Sequence, residues 1–331
     1  MDRERLRPDV TDGVSTVHVV FGSGQVGYLL AERLVALGHR VRVVKRSAGG
    51  APGGCEVHAG DAADRAFCIA AAAGAATVYH CMNPPYVTRV WADLVPRYMD
   101  NLIEAASRAG ARLVVLDNVY MLGRPNGHPL TEDTPMSPCS RKGEIRAHVA
   151  SRLFDAHRRG DVRATTGRAS DFYGPRGTLT GLGDFFWPRA LAGKTSYSPF
   201  SLDAIHTYHY IPDVAAGLAT LGTADDDVFG GAWMLPCAPA ETLRALVRRM
   251  ADALGRDIPV AQVPRWIISA AGTFVPIMRE MREMLYQWDE PFIVDDRRFR
   301  ERFGAAPADV NRAAADTVAW ARTHYGAAAS V

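Results

Sequence analysis

The chain has few cysteines and no pattern among them. The five, at positions 55, 68, 81, 139 and 237, form no C-x-x-C pair and no zinc-type spacing. A disulfide framework and a structural metal are therefore excluded, and the thiols read as reduced residues of a cytoplasmic protein. A charge excess of one sign is also missing. Lys and Arg number 38 against 36 Asp and Glu, with no long block of either, so no nucleic acid or acidic polymer is expected as a partner. The clusters "RRG" near 158 and "RRFRERF" near 297 read as solvated helix faces. Long apolar runs are absent too. Residues 1–15 are polar and lack the apolar core of a signal peptide. "WIISAAGTFVPIM" from Trp266 is too short to span a bilayer and contains a proline. A soluble protein without membrane contact is expected.

What is present is core-forming material in a regular alternation. With 331 residues, 48% of them hydrophobic, the chain can bury one large core or two modest ones. "TVHVVFGSGQVGYLLAERLVALGHRVRVVKRS" runs from an apolar stretch (16–21) through glycines into a helix-period segment (25–37) that ends on Gly38. A second apolar stretch (41–44) completes a β-α-β unit. The alternation continues with "ATVYHCM" (76–82), a helix around 90–109, "ARLVVLDNVY" (111–120), a helix near 140–159 and "VRATTGRAS" (162–170). Such alternation predicts an α/β fold, a Rossmann doubly wound parallel sheet covered on both faces. After about residue 170 the pattern fades into Gly, Pro and aromatics. The expected division is a dinucleotide-binding domain over 15–175, to which segments around 205–235 return, and a smaller C-terminal substrate-binding lobe over 176–331.

Gly22-Ser-Gly24-Gln25-Val26-Gly27 fits G-x-G-x-x-G directly after a strand and at the start of a helix. Glycines there allow a tight turn and close approach of backbone to a pyrophosphate, which the helix N-terminus then attracts. At the end of the second strand an NAD site usually carries an acidic residue, but this chain has Lys45-Arg46-Ser47. A guanidinium binds a ribose 2′-phosphate that a carboxylate would repel. NADP(H) is therefore the expected cofactor, with Arg46 foremost and Lys45 or Ser47 assisting.

These features resemble the extended short-chain dehydrogenase/reductases of the epimerase/dehydratase group over nearly the whole chain. "GDAAD" from Gly60 is similar to the family's third-strand segment, and the resemblance implies that Asp61 and Ala62 approach the adenine. "CMNPPY" (81–86) sits where the fourth-strand loop passes the cofactor, implicating Met82, Asn83 and Pro84. "GRASDFYGP" (167–175) is similar to the segment after strand six, implicating Ala169 and Ser170. "HTYHYIPDVAAGL" (206–218) and "TVAWAR" (317–322) match later family elements. Family members often dimerise, so the expectation is a monomer or a homodimer.

The catalytic trio departs from the family. A serine after strand five and a Tyr-x-x-x-Lys pair are usual. Here Asn118 holds the serine position, Lys142 fits the lysine, and Pro138 stands where the tyrosine belongs. Ser137-Pro138 reads as a helix N-cap and first helical residue. The resemblance implies that Lys142 holds the nicotinamide ribose. Hydride transfer needs mainly geometry, and the missing part is a proton donor. Asn118 can polarise a carbonyl but cannot give up a proton. Tyr120, on the same face as Asn118 if the strand persists, Tyr86 after the Pro-Pro loop and His206 in the substrate-lobe element are candidate acids or orienting groups, with water as an alternative. Asp171 replaces an asparagine that often meets the sugar in nucleotide-sugar members. With Tyr86, Phe186, Trp187 and His206 it is a candidate substrate contact.

The expected activity is NADPH-dependent reduction of a carbonyl on a bulky, aromatic or polyketide-like metabolite. A hydroxyaryl ketone, which delocalises its own negative charge, would need little acid help. Ketoreductases of antibiotic pathways occur among atypical members of the resembling family. The alternatives are a nucleotide-sugar epimerase or dehydratase, against which Pro138 argues, and a non-catalytic NADP(H)-sensing regulator.

Overall fold

A computed structural model describes residues 16–47, 49–272 and 275–326. The polar stretch over 1–15, and part of the apolar stretch from Trp266, lie outside the described residues. Seven parallel strands form the central sheet. Six are β1 (Val17–Phe21), β2 (Arg40–Lys45), β3 (Cys55–Ala59), β4 (Thr77–His80), β5 (Arg112–Asp117) and β6 (Arg163–Arg168). The seventh, Ala232–Met234, pairs with β6, so the spatial order is β3-β2-β1-β4-β5-β6 followed by that strand. β1 reads VHVVF with no polar alternation because helices cover both of its faces.

Helix α1 (Gln25–Ala36) and the helix Ile211–Thr223 pack on one face around Val20, Leu30, Leu34, Tyr79 and Leu218. α2 (Arg65–Ala72), α3 (Thr88–Ala109) and α4 (Arg141–Arg158) cover the other face around Phe21, Trp91, Leu102 and Leu153. In α1 the buried positions 26, 27, 30, 31 and 34 recur at helical spacing. The chain leaves that helix through Gly38 at φ +85, a conformation that favours glycine. A third cluster, built from Leu246, Met250, Trp187, Ala314 and Val318, is the core of the C-terminal lobe. Its helices Leu243–Leu254 and Val310–Gly326 pack on one another. A fourth cluster joins Val119, Met121 and Leu122 at the top of β5 to Met284, Tyr286 and Phe292 of the lobe.

Two local expectations need correction. β5 stops at Asp117, so Asn118 and Tyr120 do not share a strand face. Instead the Asn118 side chain accepts a hydrogen bond from the Tyr120 N–H at 3.0 Å, and a short 3-10 turn covers Tyr120–Leu122. An Asx turn outcompetes the ladder once the strand has passed its partners. The N-cap of α4 is Ser140, whose hydroxyl accepts from the Gly143 N–H at 3.1 Å. Ser137 and Pro138 lie before the helix, close to the turn at Gly123, where a Cβ would meet the Ser137 carbonyl oxygen at 2.0 Å. Among the described residues, no helix is long and apolar enough to cross a membrane, and no group of three metal-ligating side chains converges.

Three buried histidines link the fold to pH. Burial, reinforced by His39 and Arg112, lowers the pKa of His18 to about 4. Burial and Arg146 lower that of His80 to about 3. Burial lowers that of His209 to about 4. Each is held neutral in the fold, whereas the unfolded chain takes up the proton near the ordinary value of 6.5. Stability is therefore full above that value and is lost as pH falls below it, by about 1.4 kcal/mol per histidine per pH unit. The thermal midpoint is expected to fall by several degrees between about pH 7.5 and about pH 5.5. A midpoint constant over that window would contradict buried neutral imidazoles.

Candidate functional site

The site lies at the carboxyl ends of the strands, where a doubly wound sheet places its ligand crevice. β1 runs into Gly22, whose N–H donates to the Val44 carbonyl at 2.9 Å and whose φ is +99. A Cβ on Gly27 would stand 1.9 Å from the Gly22 carbonyl oxygen, so the helix start cannot tolerate a side chain there. A Cβ on Gly24 would meet nothing within 4 Å. Gly24 is the N-cap of α1 and supplies no side-chain hydrogen bond. The hydroxyl of Ser23 is buried without a partner. Open space, uncapped helix N–H groups and an orphaned hydroxyl fit an anion such as a pyrophosphate. Val26 is buried in the core beneath the loop, and the Gln25 side chain accepts from the Leu179 N–H at 2.8 Å, tying the loop to the lobe.

The other cofactor candidates are placed unevenly. Lys45 donates to the Gly49 carbonyl, whereas Arg46 and Ser47 are exposed at the end of β2. Asp61 is exposed and accepts from the Ala63 N–H at 2.9 Å, and buried Ala62 offers its carbonyl to Asn101. Met82, Asn83 and Pro84 form the irregular segment after β4. Asn83 accepts from Arg146 Nη2 at 2.6 Å. Ala169 is fully buried. Ser170 donates its hydroxyl to the Thr207 carbonyl, and its N–H donates to His209 Nδ1 at 3.1 Å. His209 Nε2 therefore carries the proton and donates to the Leu235 carbonyl at 3.2 Å.

Lys142 is the centre of the catalytic half. It sits in the first turn of α4, fully buried. Its ammonium donates to Glu280 Oε2 at 2.5 Å, Glu283 Oε1 at 2.7 Å and Thr88 Oγ1 at 2.9 Å. Those three bonds use all three of its donors. Burial raises the Glu280 carboxyl pKa, but hydrogen bonds from Lys142 and Thr88 outweigh that and hold it below the usual value. Both glutamates come from the lobe, on or just after the helix Pro276–Arg282. In "MREMREML" (278–285) they stand three residues apart and so share one helix face, a signal present in the sequence but not used above. In this arrangement Lys142 holds the lobe, and it reaches a ribose only by exchanging a glutamate.

The ammonium also lies 4.5 Å from the ring centroid of Tyr86. The phenols of Tyr86 and Tyr120 lie close enough to interact with one another. Burial, with Tyr120 next, pushes the Tyr86 phenol well above its ordinary pKa. Burial, then Asp171, pushes that of Tyr120 up to about 12, against the lowering effects of Tyr86 and Arg146. Both phenols stay protonated near neutrality, so the pair can donate a proton but cannot act as a base. Asn118, whose Oδ1 is held by the Tyr120 backbone, leaves its Nδ2 end as the donor.

A buried network missed from sequence supports this face. Arg146 lies 4.7 Å over the Trp91 ring and pairs with Asp117 at 3.4 Å. Burial raises the Asp117 pKa, while Arg146 and Arg168 oppose that. Near the glycine loop, Arg176 has a left-handed φ of 66, stacks 3.5 Å over Tyr28 and leaves its Nε buried without a partner. A non-glycine residue held there stores strain of order 1 kcal/mol, which also marks Arg176 as a candidate phosphate contact.

Among the substrate candidates, Asp171 accepts from His206 Nε2 at 2.8 Å. The buried His206 ring stacks between Trp288, 4.7 Å away, and Phe292, 5.1 Å away. That stack fixes Asp171 near the phenols. Phe186 and Trp187 need correction as pocket walls. Their rings meet edge to face at 5.2 Å within the lobe core and are 1% and 0% exposed, so no ligand reaches them.

Fold and site together define a nicotinamide-type doubly wound α/β protein with a lysine-centred site. The model of the NAD dependent epimerase/dehydratase family matches residues 18–233, and the chain belongs to that family. A Streptomyces protein, 3-diazoavenalumate denitrifying reductase, is 27% identical over 278 residues, covering 75% of this chain and 86% of its own. The structure of gox2253 is similar with a TM-score of 0.74 at 22% identity, covering 93% of this chain and 98% of that one. UDP-glucose 4-epimerase of Thermus thermophilus, in complex with NAD, has a TM-score of 0.73 at 20% identity, covering 93% and 99%. At such identities the two structures show a shared fold.

The lysine cluster is open to a direct test. Removing one partner of a buried ion pair typically costs about 3–5 kcal/mol. Glu280→Gln is expected to lower the unfolding free energy by a good part of that in urea titration, with Lys142→Met destabilising in the same way. A loss below about 0.5 kcal/mol for both, the size of an ordinary surface change, would show that the cluster does not hold the lobe.

Proposed function

We propose that this protein is a nicotinamide-dependent reductase that delivers hydride without a tyrosine acid on α4. Family membership and the cradle at Gly22, Gly24 and Ser23 support a dinucleotide whose pyrophosphate rests on the start of α1. Exposed Arg46, with no acidic neighbour at the strand end, favours NADP(H). The cofactor supplies the hydride when bound. The chain's own residues orient the acceptor and hold a proton beside it.

One arrangement supports reduction: two partly buried phenols, Tyr86 and Tyr120, lie together beside the Lys142 cluster in a chain with proline at position 138, and burial raises both of them. The family's usual base for oxidising an alcohol, a tyrosine four residues before Lys142, is replaced by Pro138. The two phenols can donate to a developing alkoxide. In the ketone reading, Asn118 Nδ2 polarises the carbonyl of a hydroxyaryl or polyketide-like substrate. Tyr120 then gives up its proton and is resupplied through Tyr86. Asp171, fixed by His206, lies near enough to bind a substrate hydroxyl.

A second reading is favoured by the reductase relative, whose name specifies loss of nitrogen from a diazo compound. An arenediazonium acceptor balances with hydride alone. The C–H bond forms, the C–N bond breaks, and dinitrogen leaves with its electron pair. No proton is required, which suits a site with proline at the acid position.

Two measurements test these readings. Arg46→Asp is expected to weaken NADPH binding at least about tenfold, the loss of roughly one charge-assisted contact, with NADH binding little changed. Equal loss for both cofactors would remove the 2′-phosphate assignment. NADPH consumption should appear with either a hydroxyaryl ketone or an arenediazonium salt. Tyr120→Phe should slow reduction of an aryl ketone that lacks a charge-delocalising hydroxyl by about 10²–10⁴-fold and leave the diazonium reaction near wild type. Tight NADPH binding without turnover across both acceptor classes would defeat the reductase reading.

A further inference from the structure

A cavity of about 330 Å³ opens beside the lysine cluster, outside the catalytic residues already described. Glu283 forms part of its wall while also bonding Lys142, so cavity and cluster are contiguous. Leu285 and Tyr286 contribute its apolar lining. Its rim is cationic, with Arg124, Arg265 and Arg282. Two of those guanidiniums already share one carboxylate. Arg124 lies 2.9 Å and Arg265 2.5 Å from Asp289. Against three cations stand only Asp289 and Glu283, and Glu283 is committed to Lys142. Asp289 serves both Arg124 and Arg265, and Arg282, exposed at the end of its helix, has no carboxylate partner among the described residues.

A second observation points into the same space. The Tyr286 hydroxyl is buried, without a hydrogen-bond partner, beside the Cys139 thiol. It is also close enough to Tyr120 for the two phenols to interact electrostatically. A planar apolar body seated on Leu285 and Tyr286 would thus have one end at the arginines and the other toward the Tyr86–Tyr120 pair. The volume lies at the small end of the usual range for ligand pockets, about 300–1,000 Å³.

We infer that this cavity binds the carboxylate end of a small aromatic acid, with Arg282 and Arg265 pairing to the carboxylate. This deepens the reductase reading and rests on it for the role of the ligand as substrate. It restricts the acceptor to an aromatic ring that bears an anionic group at its far end. Bidentate guanidinium–carboxylate pairing sets the orientation.

The test is calorimetric titration of the whole protein with trans-cinnamate and with its methyl ester, in parallel with NADPH. The acid is expected to bind at least about tenfold more tightly than the ester, the worth of one charge-assisted contact. Arg282→Gln and Arg265→Gln should each remove most of that advantage while leaving NADPH affinity unchanged. Arg282 is exposed, so its variant keeps the fold, and an unchanged thermal midpoint checks this. Equal binding of acid and ester, wild-type affinity in both variants, or NADPH binding with no cinnamate binding each overturns the cavity assignment. Selective cinnamate binding without any NADPH binding upholds the cavity and instead defeats the nicotinamide reading.

Discussion

The buried ammonium of Lys142, shared between Glu280, Glu283 and Thr88, is the constraint on which the rest of the site depends. It ties the first turn of α4 to the start of α3 and to a lobe helix more than a hundred residues away. A full charge with no exposure is tolerable only because every donor is met, and removing either side leaves the other desolvated and unpaired. Once the lobe is held there, Glu283 becomes a wall of the neighbouring cavity, Tyr86 is pressed over the ammonium, and Tyr120 lies beside Tyr86. In this structure the lysine is an anchor between α4 and the lobe, and proline stands four residues before it.

The two halves of the site have separated. The glycine cradle keeps what a pyrophosphate needs: open space at Gly24, uncapped helix N–H groups and a free hydroxyl on Ser23. In the proposed reductase the proton-handling half is drawn from side chains on other elements. Tyr86 comes from the segment after β4, Tyr120 from the 3-10 turn after β5, and Asp171 from the segment after β6. Burial raises both phenols instead of activating them. Such a site favours reactions that consume hydride and need at most a weak acid.

Much of this is legible in the sequence, for physical reasons. Near-continuous apolar strands alternating with 3.6-period helices define a parallel sheet, and the helix limits at 25, 88 and 141 fall close to the expected ones. The glycine spacing identifies the cradle. What escapes are contacts that no local pattern encodes. Asp117, Arg146 and Arg168 form their cluster only when β5, α4 and β6 come together. Glu280 and Glu283 carry no local mark beyond a three-residue spacing, which points to a shared target without saying which. Ser140 takes the cap expected at Ser137, since both are good caps and only tertiary packing near Gly123 decides between them. Phe186 and Trp187 read as pocket walls because aromatic density alone does not distinguish a lobe core from a ligand surface.

The central claim is that the Lys142-assisted tyrosine acid has been replaced. The most direct measurement is the pH dependence of single-turnover hydride transfer from NADPH, between about pH 6.5 and about pH 9, in wild-type protein and Lys142→Met. A flat profile is expected in both, because the remaining phenols titrate above that range and the lysine takes no part in proton transfer. A limb with an apparent pKa near 7 in the wild type that disappears in Lys142→Met would contradict it.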